Sequence, residues 1–142
     1  MESLKVPGSL DSLGDITRYI KNAAQSAHLD ERSTYRLRLA VDEIATNVII
    51  HGYEEAGLEG YIELHTELTP EALTIHMDDT GVTYDPAQSL ARSELFLSKE
   101  IDQRPIGGLG VFLAIQSVDR FSYCRHGGHN RNSFVVYRHS ST

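Results

Sequence analysis

One carboxylate and one carboxamide are spaced to act together at the edge of an amphipathic helix. Leu37, Val41 and Ile44 recur at helical spacing, and Glu43 and Asn47 fall on the strip beside them, four residues apart. A carboxamide oxygen can ligate Mg2+, and a carboxylate can accept the proton of an attacking hydroxyl. The helix alone leaves open the alternative that both side chains are simply solvated.

A second candidate is Asp79, which follows a predicted strand and is followed by Thr80 and Gly81. An aspartate at a strand end can accept a hydrogen bond from an exocyclic amine, such as that of adenine, and Gly81 lets the backbone pass close to a flat ring. The alternative is a turn in which aspartate and glycine serve only the backbone geometry.

A third candidate is the glycine-rich segment Gly107-Gly108-Leu109-Gly110, which opens a predicted helix. A helix start offers free N–H groups and partial positive charge, and glycines let phosphates approach the backbone. Arg104 and Lys99 precede the segment and could contact a terminal phosphate. The spacing is neither that of a Walker loop nor that of a Rossmann turn. A glycine hinge beside solvated basic residues is the alternative.

The composition limits the classes of protein to consider. A chain of 142 residues with 40% hydrophobic and 23% charged residues fits one globular domain. The formal net charge of -7 argues against nucleic acid as the main partner. Cys124 is the only cysteine, so an intrachain disulfide and a cysteine metal cluster are excluded. Neither a signal peptide nor an apolar run of about 18 residues is evident, so we expect no membrane partner and a reduced, cytoplasmic setting.

The predicted elements that must position these candidates follow one another in the order β-α-α-β-β-loop-α-β-β. This order predicts an α+β fold, a two-layer sandwich with helices on one face of a mixed, mostly antiparallel sheet. The predicted strands are 4–6, 61–68, 72–77, 120–125 and 133–138; the predicted helices run from Asp11 or Ser12 to about His28, from 31 to 51 with Gly52 as the stop, and from 109 to 118; a turn is predicted at 126–132, and an irregular connection at 78–108 with a helical patch near 89–97.

Taken in order, the three segments resemble the ATP-binding boxes of the superfamily that contains gyrase B, sensor histidine kinases and mismatch-repair ATPases. They are most similar to those of bacterial anti-sigma-factor serine/threonine kinases, and the resemblance covers residues 4–137. Many superfamily members have a glycine where this chain has Thr83, but the anti-sigma-like group often lacks it too. The motifs that carry the resemblance are Asp42-Glu43 with Asn47 and His51-Gly52-Tyr53, then Asp79-x-Gly81 with Tyr84-Asp85-Pro86, then Arg104-Pro105-x-Gly107-Gly108-Leu109-Gly110.

The resemblance implies one ATP-binding domain over residues 1–142, with the Bergerat fold, an ATP lid at about 82–106, and ATP and Mg2+ as ligands. It implies that Asn47 ligates Mg2+ and that Glu43 is the general base. Asp79 would bind the adenine amine, with Gly81 beneath the ring. The remaining implied contacts to ATP are Gly107, Gly108, Leu109 and Gly110 around the phosphates, Arg104 near the γ-phosphate, and Ser133 at the adenine end.

The activity implied is that of a protein serine/threonine kinase that phosphorylates a small anti-sigma antagonist protein and regulates a sigma factor or similar partner. The resemblance also suggests a homodimer, formed through the first strand and helix. A module that uses ATP as a switch and holds a partner without phosphorylating it is the alternative. An ATPase that drives motion ranks last, because nothing in the chain resembles a transducer domain.

Overall fold

The structure is a computed structural model, and it describes residues 2–83 and 106–138. A 3-10 turn at Leu10–Ser12 precedes the first helix, and a π-helical segment at Val48–Glu54 continues the second. The predicted lid lies largely outside the described residues, as do Lys99, Arg104 and the predicted patch at 89–97. The helices are α1 Leu13–Ser26, α2 Glu31–Asn47 and α3 Ile106–Ser117, and the strands are β1 Leu4–Pro7, β2 Tyr61–Leu68, β3 Ala72–Asp79, β4 Arg120–His126 and β5 His129–Tyr137.

The five strands form one sheet in the order β1-β2-β3-β5-β4. All four pairings between these strands are antiparallel. The predicted α+β sandwich is confirmed, although the sheet of the described residues is antiparallel throughout rather than mixed. β3 therefore lies at the centre of the sheet, which places Asp79 at the end of its middle strand.

The core lies between the helices and one face of the sheet. The predicted apolar stripe of α2 is confirmed, since Leu37, Val41 and Ile44 are fully buried. Asp30 caps this helix, because its Oδ1 accepts a hydrogen bond of 2.7 Å from the Ser33 N–H. The same core contains the helix-facing residues of the sheet, namely Ile62, Leu64, Leu73, Ile75, Met77, Phe134 and Val136.

The second helix does not stop at Gly52, so that prediction is wrong. The chain continues as a π-helical segment through Glu54, with the Glu55 N–H bonded to the Ile50 carbonyl at 2.9 Å. Glycine is a weak helix former, but tertiary packing overrides propensity here, because Tyr53 is 1% exposed. A π-helical insertion directly after Asn47 is notable since such insertions often occur at functional sites.

The predicted turn at 126–132 is also wrong. The turn consists of Gly127 and Gly128, whose φ angles of 58° and 81° suit glycine, and β5 begins at once at His129. The segment from 129 to 132 is polar and has low strand propensity, yet it pairs with both neighbouring strands. This correction turns Asn130 and Asn132 into strand residues of the sheet.

None of the helices in the described ranges combines the length and the apolar character needed to cross a bilayer.

Candidate nucleotide-binding site

Helix α2 holds Glu43 and Asn47 together at its carboxyl end. The Asn47 Nδ2 donates to the Glu43 carbonyl at 2.8 Å and to the Glu43 Oε1 at 3.3 Å. Asn47 is 8% exposed. The Asn47 amide nitrogen is therefore hydrogen-bonded to Glu43, and its amide oxygen is the side-chain atom that can bind a cation.

Glu43 also lies against the start of α3. A Cβ built on Gly110 would collide with the Glu43 Oε1 and would lie 2.9 Å from its Cδ. Since Glu43 belongs to α2 and Gly110 to α3, the absence of a side chain at 110 lets the two helices place this carboxylate between them. The structure thus brings Glu43, Asn47 and Gly110 to one place.

The glycine-rich segment occupies the first turn of α3. This helix begins at Ile106, three residues before the predicted start at Leu109, so Gly107, Gly108 and Leu109 are helical. Glycine disfavours helix, which is why the sequence suggested a later start. The first N–H groups of a helix have no partner within it, so this turn can donate to phosphate oxygens.

Asp79 is the last residue of β3 and is 3% exposed. Its Oδ1 accepts hydrogen bonds of 2.9 Å from the Gly81 N–H and 2.9 Å from the Asn130 Nδ2. Its Oδ2 is buried and has no hydrogen-bond partner in the described part of the chain. Burial raises the pKa of the Asp79 carboxyl, while the Asn130 amide, the Gly81 N–H and Arg125 oppose that rise.

Gly81 packs directly on the π-helical segment. A Cβ at this position would lie 2.8 Å from the carbonyl oxygen of Gly52 and 3.1 Å from its Cα. The same Gly52 carbonyl accepts a hydrogen bond of 3.0 Å from the Val82 N–H. This contact joins the segment that follows Asn47 to the loop that follows Asp79, so the first two predicted segments are neighbours.

Asn130 is a site residue that the sequence reasoning missed. Besides Asp79, its Nδ2 reaches the Gly81 carbonyl at 3.0 Å, and its Oδ1 accepts from Arg125 at 2.8 Å and Tyr123 at 2.7 Å. The sequence signal was the polar repeat Asn130-x-Asn132, which the predicted turn concealed. Asn132 follows on the same face, fully buried, and neither of its amide atoms has a partner among the described residues.

Ser133 is not brought to this site. It alternates with Asn132 and Phe134, which face the helices, so its side chain lies on the other face of the sheet. There its Oγ is 2.8 Å from the Nδ1 of His76, the residue opposite it on β3. A contact from Ser133 to a base held at Asp79 would have to pass through the sheet.

The remaining predicted site residue, Arg104, lies outside the described residues.

The described residues fit an adenine nucleotide with a magnesium ion. Asp79 Oδ2 is a buried acceptor without a donor, and the Asn47 carboxamide oxygen has no hydrogen bond to a described residue. No group of three or more His, Cys, Asp or Glu within 2–83 and 106–138 could hold a metal alone. A magnesium ion here would therefore share Asn47 with phosphate oxygens and water, which is its usual coordination in phosphotransfer sites.

Comparison with known proteins identifies the class. Residues 6–135 match the histidine kinase-like ATPase domain, and the chain belongs to that family. Two solved structures share the fold. One is the histidine kinase domain of a blue-light activated histidine kinase from Erythrobacter litoralis, with a TM-score of 0.54 at 16% identity over 87% of this chain and 58% of that one. The other belongs to the SiaB–SiaC complex from Pseudomonas aeruginosa, with a TM-score of 0.55 at 15% identity over 96% and 89% of the two chains.

The chain is also similar to two proteins named as kinases that act on serine or threonine. The chain is 26% identical to the serine/threonine-protein kinase BtrW of Bordetella bronchiseptica, over 91% of this chain and 88% of that protein. It is 25% identical to the serine-protein kinase RsbW of Staphylococcus aureus, over 88% and 79% of the two proteins. The resemblance to this kinase group is confirmed.

Proposed function

We propose that this protein is an ATP-dependent protein serine/threonine kinase that phosphorylates a small anti-sigma antagonist protein and so regulates a sigma factor or similar partner. The observation that carries the proposal is the Glu43 carboxylate, held by the Asn47 amide between α2 and the glycine-led start of α3. A carboxylate in that position supplies the proton acceptor that a kinase needs and that a simple ATP-binding module does not. The similarity to BtrW and RsbW supports the choice of protein hydroxyl as acceptor.

Bound ATP would supply the phosphoryl group, and Mg2+ would neutralise charge on its phosphates. Asp79 Oδ2 would accept a hydrogen bond from the adenine amine, with Gly81 beneath the ring. The Asn47 carboxamide oxygen would ligate the metal. The start of α3, at Gly107, Gly108, Leu109 and Gly110, would hold the phosphates, mainly through the free N–H groups of its first turn, and Arg104 would contact the γ-phosphate.

Glu43 handles the proton of the acceptor. As the serine or threonine oxygen of the substrate bonded to the γ-phosphorus of ATP, its hydroxyl proton would pass to the Glu43 carboxylate, and the bond to the β–γ bridging oxygen would break to release ADP. The protein itself forms no covalent bond to the transferred group, so it lowers the barrier mainly by positioning the reactants and neutralising their charge. The chain carries a formal net charge of -7, so Mg2+ and backbone N–H groups must offset the triphosphate locally.

The proposed assembly is a homodimer that holds either the antagonist or the sigma factor, with phosphorylation deciding between them. The complete chain, purified with Mg2+ and ATP labelled at the γ-phosphate, is mixed with extract of its native cells and recaptured. Mass spectrometry then locates labelled phosphate on the captured proteins. We expect label on a serine or threonine of a small protein.

Asp79→Asn is the matched control for ATP binding at the proposed site, since it keeps the shape of the side chain but presents an amide to the adenine amine. Its ATP affinity should fall about tenfold to a hundredfold, the value of a charge-assisted hydrogen bond. ATP-dependent capture without any transferred label would favour the non-phosphorylating switch. Absence of ATP binding by the wild type would reject the proposed function altogether.

A further inference from the structure

The phenol of Tyr53 lies at the junction of the three segments around Asp79. Tyr53 belongs to the π-helical segment that follows Asn47 and is 1% exposed. Its hydroxyl donates to the Tyr61 carbonyl at 2.7 Å and accepts from the Thr80 N–H at 2.9 Å. This single group therefore ties the end of helix α2 to the start of β2 and to the loop after β3.

The ring is fixed as firmly as the hydroxyl. A Cβ on Gly8 would lie 2.5 Å from the Tyr53 Cδ2, and one on Gly60 would lie 2.8 Å from its Cε1. These two glycines contact each other through a hydrogen bond of 2.8 Å from the Gly8 N–H to the Gly60 carbonyl. The ring thus packs closely against two glycines, which limits the freedom of the hydroxyl to move.

The loop after Asp79 has an acceptor for each of its first three N–H groups. Thr80 donates to the Tyr53 hydroxyl at 2.9 Å, Gly81 to the Asp79 carboxylate at 2.9 Å, and Val82 to the Gly52 carbonyl at 3.0 Å. Two of these acceptors, Gly52 and Tyr53, are consecutive residues of the π-helical segment. With these bonds made, Asp79 Oδ2 remains a buried oxygen without a donor among the described residues.

We propose that Tyr53 is a positioning residue for base recognition: through Thr80 it sets the place of the Asp79 carboxylate relative to the helix that carries Glu43 and Asn47. This inference rests on the proposed function and extends it to specificity. A base must reach Asp79 while its phosphates reach the start of α3, so the π-helical segment fixes the span between the two ends of the nucleotide. Adenine presents an amine to Asp79, whereas guanine presents a carbonyl oxygen that a carboxylate repels.

The test compares ATP and GTP binding to the full-length wild type, to Tyr53→Phe and to Tyr19→Phe. Tyr19→Phe is matched, because Tyr19 is 8% exposed and its hydroxyl lies 2.8 Å from the Thr66 Oγ1, with no contact to the loop after Asp79. We expect Tyr53→Phe to lower the ratio of ATP to GTP affinity about tenfold, the value of one buried hydrogen bond. Tyr19→Phe should leave the ratio unchanged. Titration calorimetry or ligand-observed NMR gives both affinities.

Amide hydrogen exchange supplies a readout that needs no nucleotide. In Tyr53→Phe the Thr80 N–H loses its acceptor, so its exchange should quicken about tenfold relative to amides of β3, whose ladder is intact. General destabilisation would instead quicken exchange throughout the sheet.

The outcomes separate this inference from the function on which it rests. Wild type that binds no ATP rejects the proposed function and the positioning role with it. Wild type that binds ATP, together with an unchanged ATP-to-GTP ratio in Tyr53→Phe, rejects the positioning role alone. Tyr53→Phe could also lose equal affinity for ATP and GTP, or Tyr19→Phe could lower the ATP-to-GTP ratio as much as Tyr53→Phe does. Either result would overturn the positioning role, since it would show that the hydroxyl supports the fold and not the base site.

Discussion

The base end and the phosphate end of the proposed site are built in different ways. Next to Asp79 the backbone N–H groups of Thr80, Gly81 and Val82 all have acceptors, and Gly81 rests on the backbone of Gly52. Around the Glu43 carboxylate the contacts are one hydrogen bond of 3.3 Å from the Asn47 amide and the surface of Gly110. The base end is therefore held in place except for Asp79 Oδ2, which still lacks a donor within the described residues, whereas the phosphate end combines the backbone of α3 with the longer side chains of Glu43 and Asn47.

This difference has a functional meaning. A pre-built pocket selects the nucleotide by shape and hydrogen bonding, because no energy is spent in ordering it. At the phosphate end the Glu43 side chain, unlike the backbone of α3, can adjust as charge moves from ATP to the acceptor. We infer that the base end determines which nucleotide binds and that the phosphate end determines whether transfer occurs.

The variant Glu43→Gln is the strongest test of these separate roles for the base end and the phosphate end. The glutamine keeps the size of the side chain and can still accept a hydrogen bond from Asn47, but it cannot take a proton. We expect phosphate transfer to fall about a hundredfold to ten-thousandfold, the usual contribution of a general base, with ATP affinity nearly unchanged. Single-turnover transfer of labelled phosphate measures the rate, and calorimetry measures the affinity. Equal transfer by wild type and variant would remove Glu43 from the chemistry.

Asn47→Ala tests the metal at the same end. Loss of the carboxamide oxygen should weaken ATP binding in the presence of Mg2+ by about tenfold to a hundredfold, the value of one or two charge-assisted contacts. Binding measured with excess chelator should change little. Asn22→Ala, on the exposed face of α1, is the control for loss of an asparagine from a helix. If the variant lost affinity equally with and without Mg2+, the effect would belong to packing near Asn47 and not to a metal.

A pair of glycine substitutions compares the rigidity of the two ends directly. At Gly81 an added Cβ meets the backbone of Gly52, which cannot yield, so Gly81→Ala should lower the free energy of unfolding by about 1–3 kcal/mol. At Gly110 the Cβ meets the end of the Glu43 side chain, which can rotate away. Gly110→Ala should therefore cost less stability, while moving the carboxylate and slowing phosphate transfer.

Gly14→Ala is the control for this pair, because a Cβ there meets nothing within 4 Å. It should raise the free energy of unfolding by about 0.5–1 kcal/mol, the gain from replacing glycine in a helix. Urea unfolding gives all three values. A larger loss of stability at Gly110 than at Gly81 would show that the phosphate end is the rigid one, contrary to the comparison above.

The sequence predicted the apolar framework and the proximity of Glu43 to Asn47, while the roles of the site residues stay predictions. Leu37, Val41 and Ile44 are buried as their spacing indicated, and Glu43 and Asn47 lie together as residues one helical turn apart must. Periodicity predicts such features because a helix or a strand fixes which residues share a face. The Bergerat-type sandwich followed from the order of the elements and from the resemblance.

The sequence failed where tertiary contacts override local preference. Gly52 looks like a helix stop, and only its carbonyl bond to Val82 and the burial of Tyr53 reveal why the chain continues as a π-helix. The polar run from His129 to Asn132 looks like a turn, and only its pairing with β3 makes it a strand. Ser133 was chosen without knowledge of the register, and a shift of one residue moves a strand side chain to the other face.

The smallest effect we predict is the change in the free energy of unfolding caused by burial of the Asp79 carboxyl. Because burial raises the pKa of this carboxyl, the folded state binds its proton more tightly than the unfolded state does. The free energy of unfolding contributed by this group is thus greatest below the ordinary pKa of an aspartate, and it is lost as the pH rises through the folded pKa. Asp79→Asn removes that dependence, since the amide keeps the acceptor for Gly81 and Asn130 but carries no charge.

We therefore expect Asp79→Asn to be more stable than wild type at neutral pH, by on the order of 1 kcal/mol, and the difference to disappear in acid. Thermal unfolding over a pH series measures it, with Asp11→Asn, on the exposed turn before α1, as the control. The same variant is the one that loses ATP affinity, so stability and binding should change in opposite directions. A loss of stability at neutral pH would mean that the charge of Asp79 is already balanced by Arg125 and Asn130, and the base end would then be a structural hydrogen-bond network that needs no ligand to complete it.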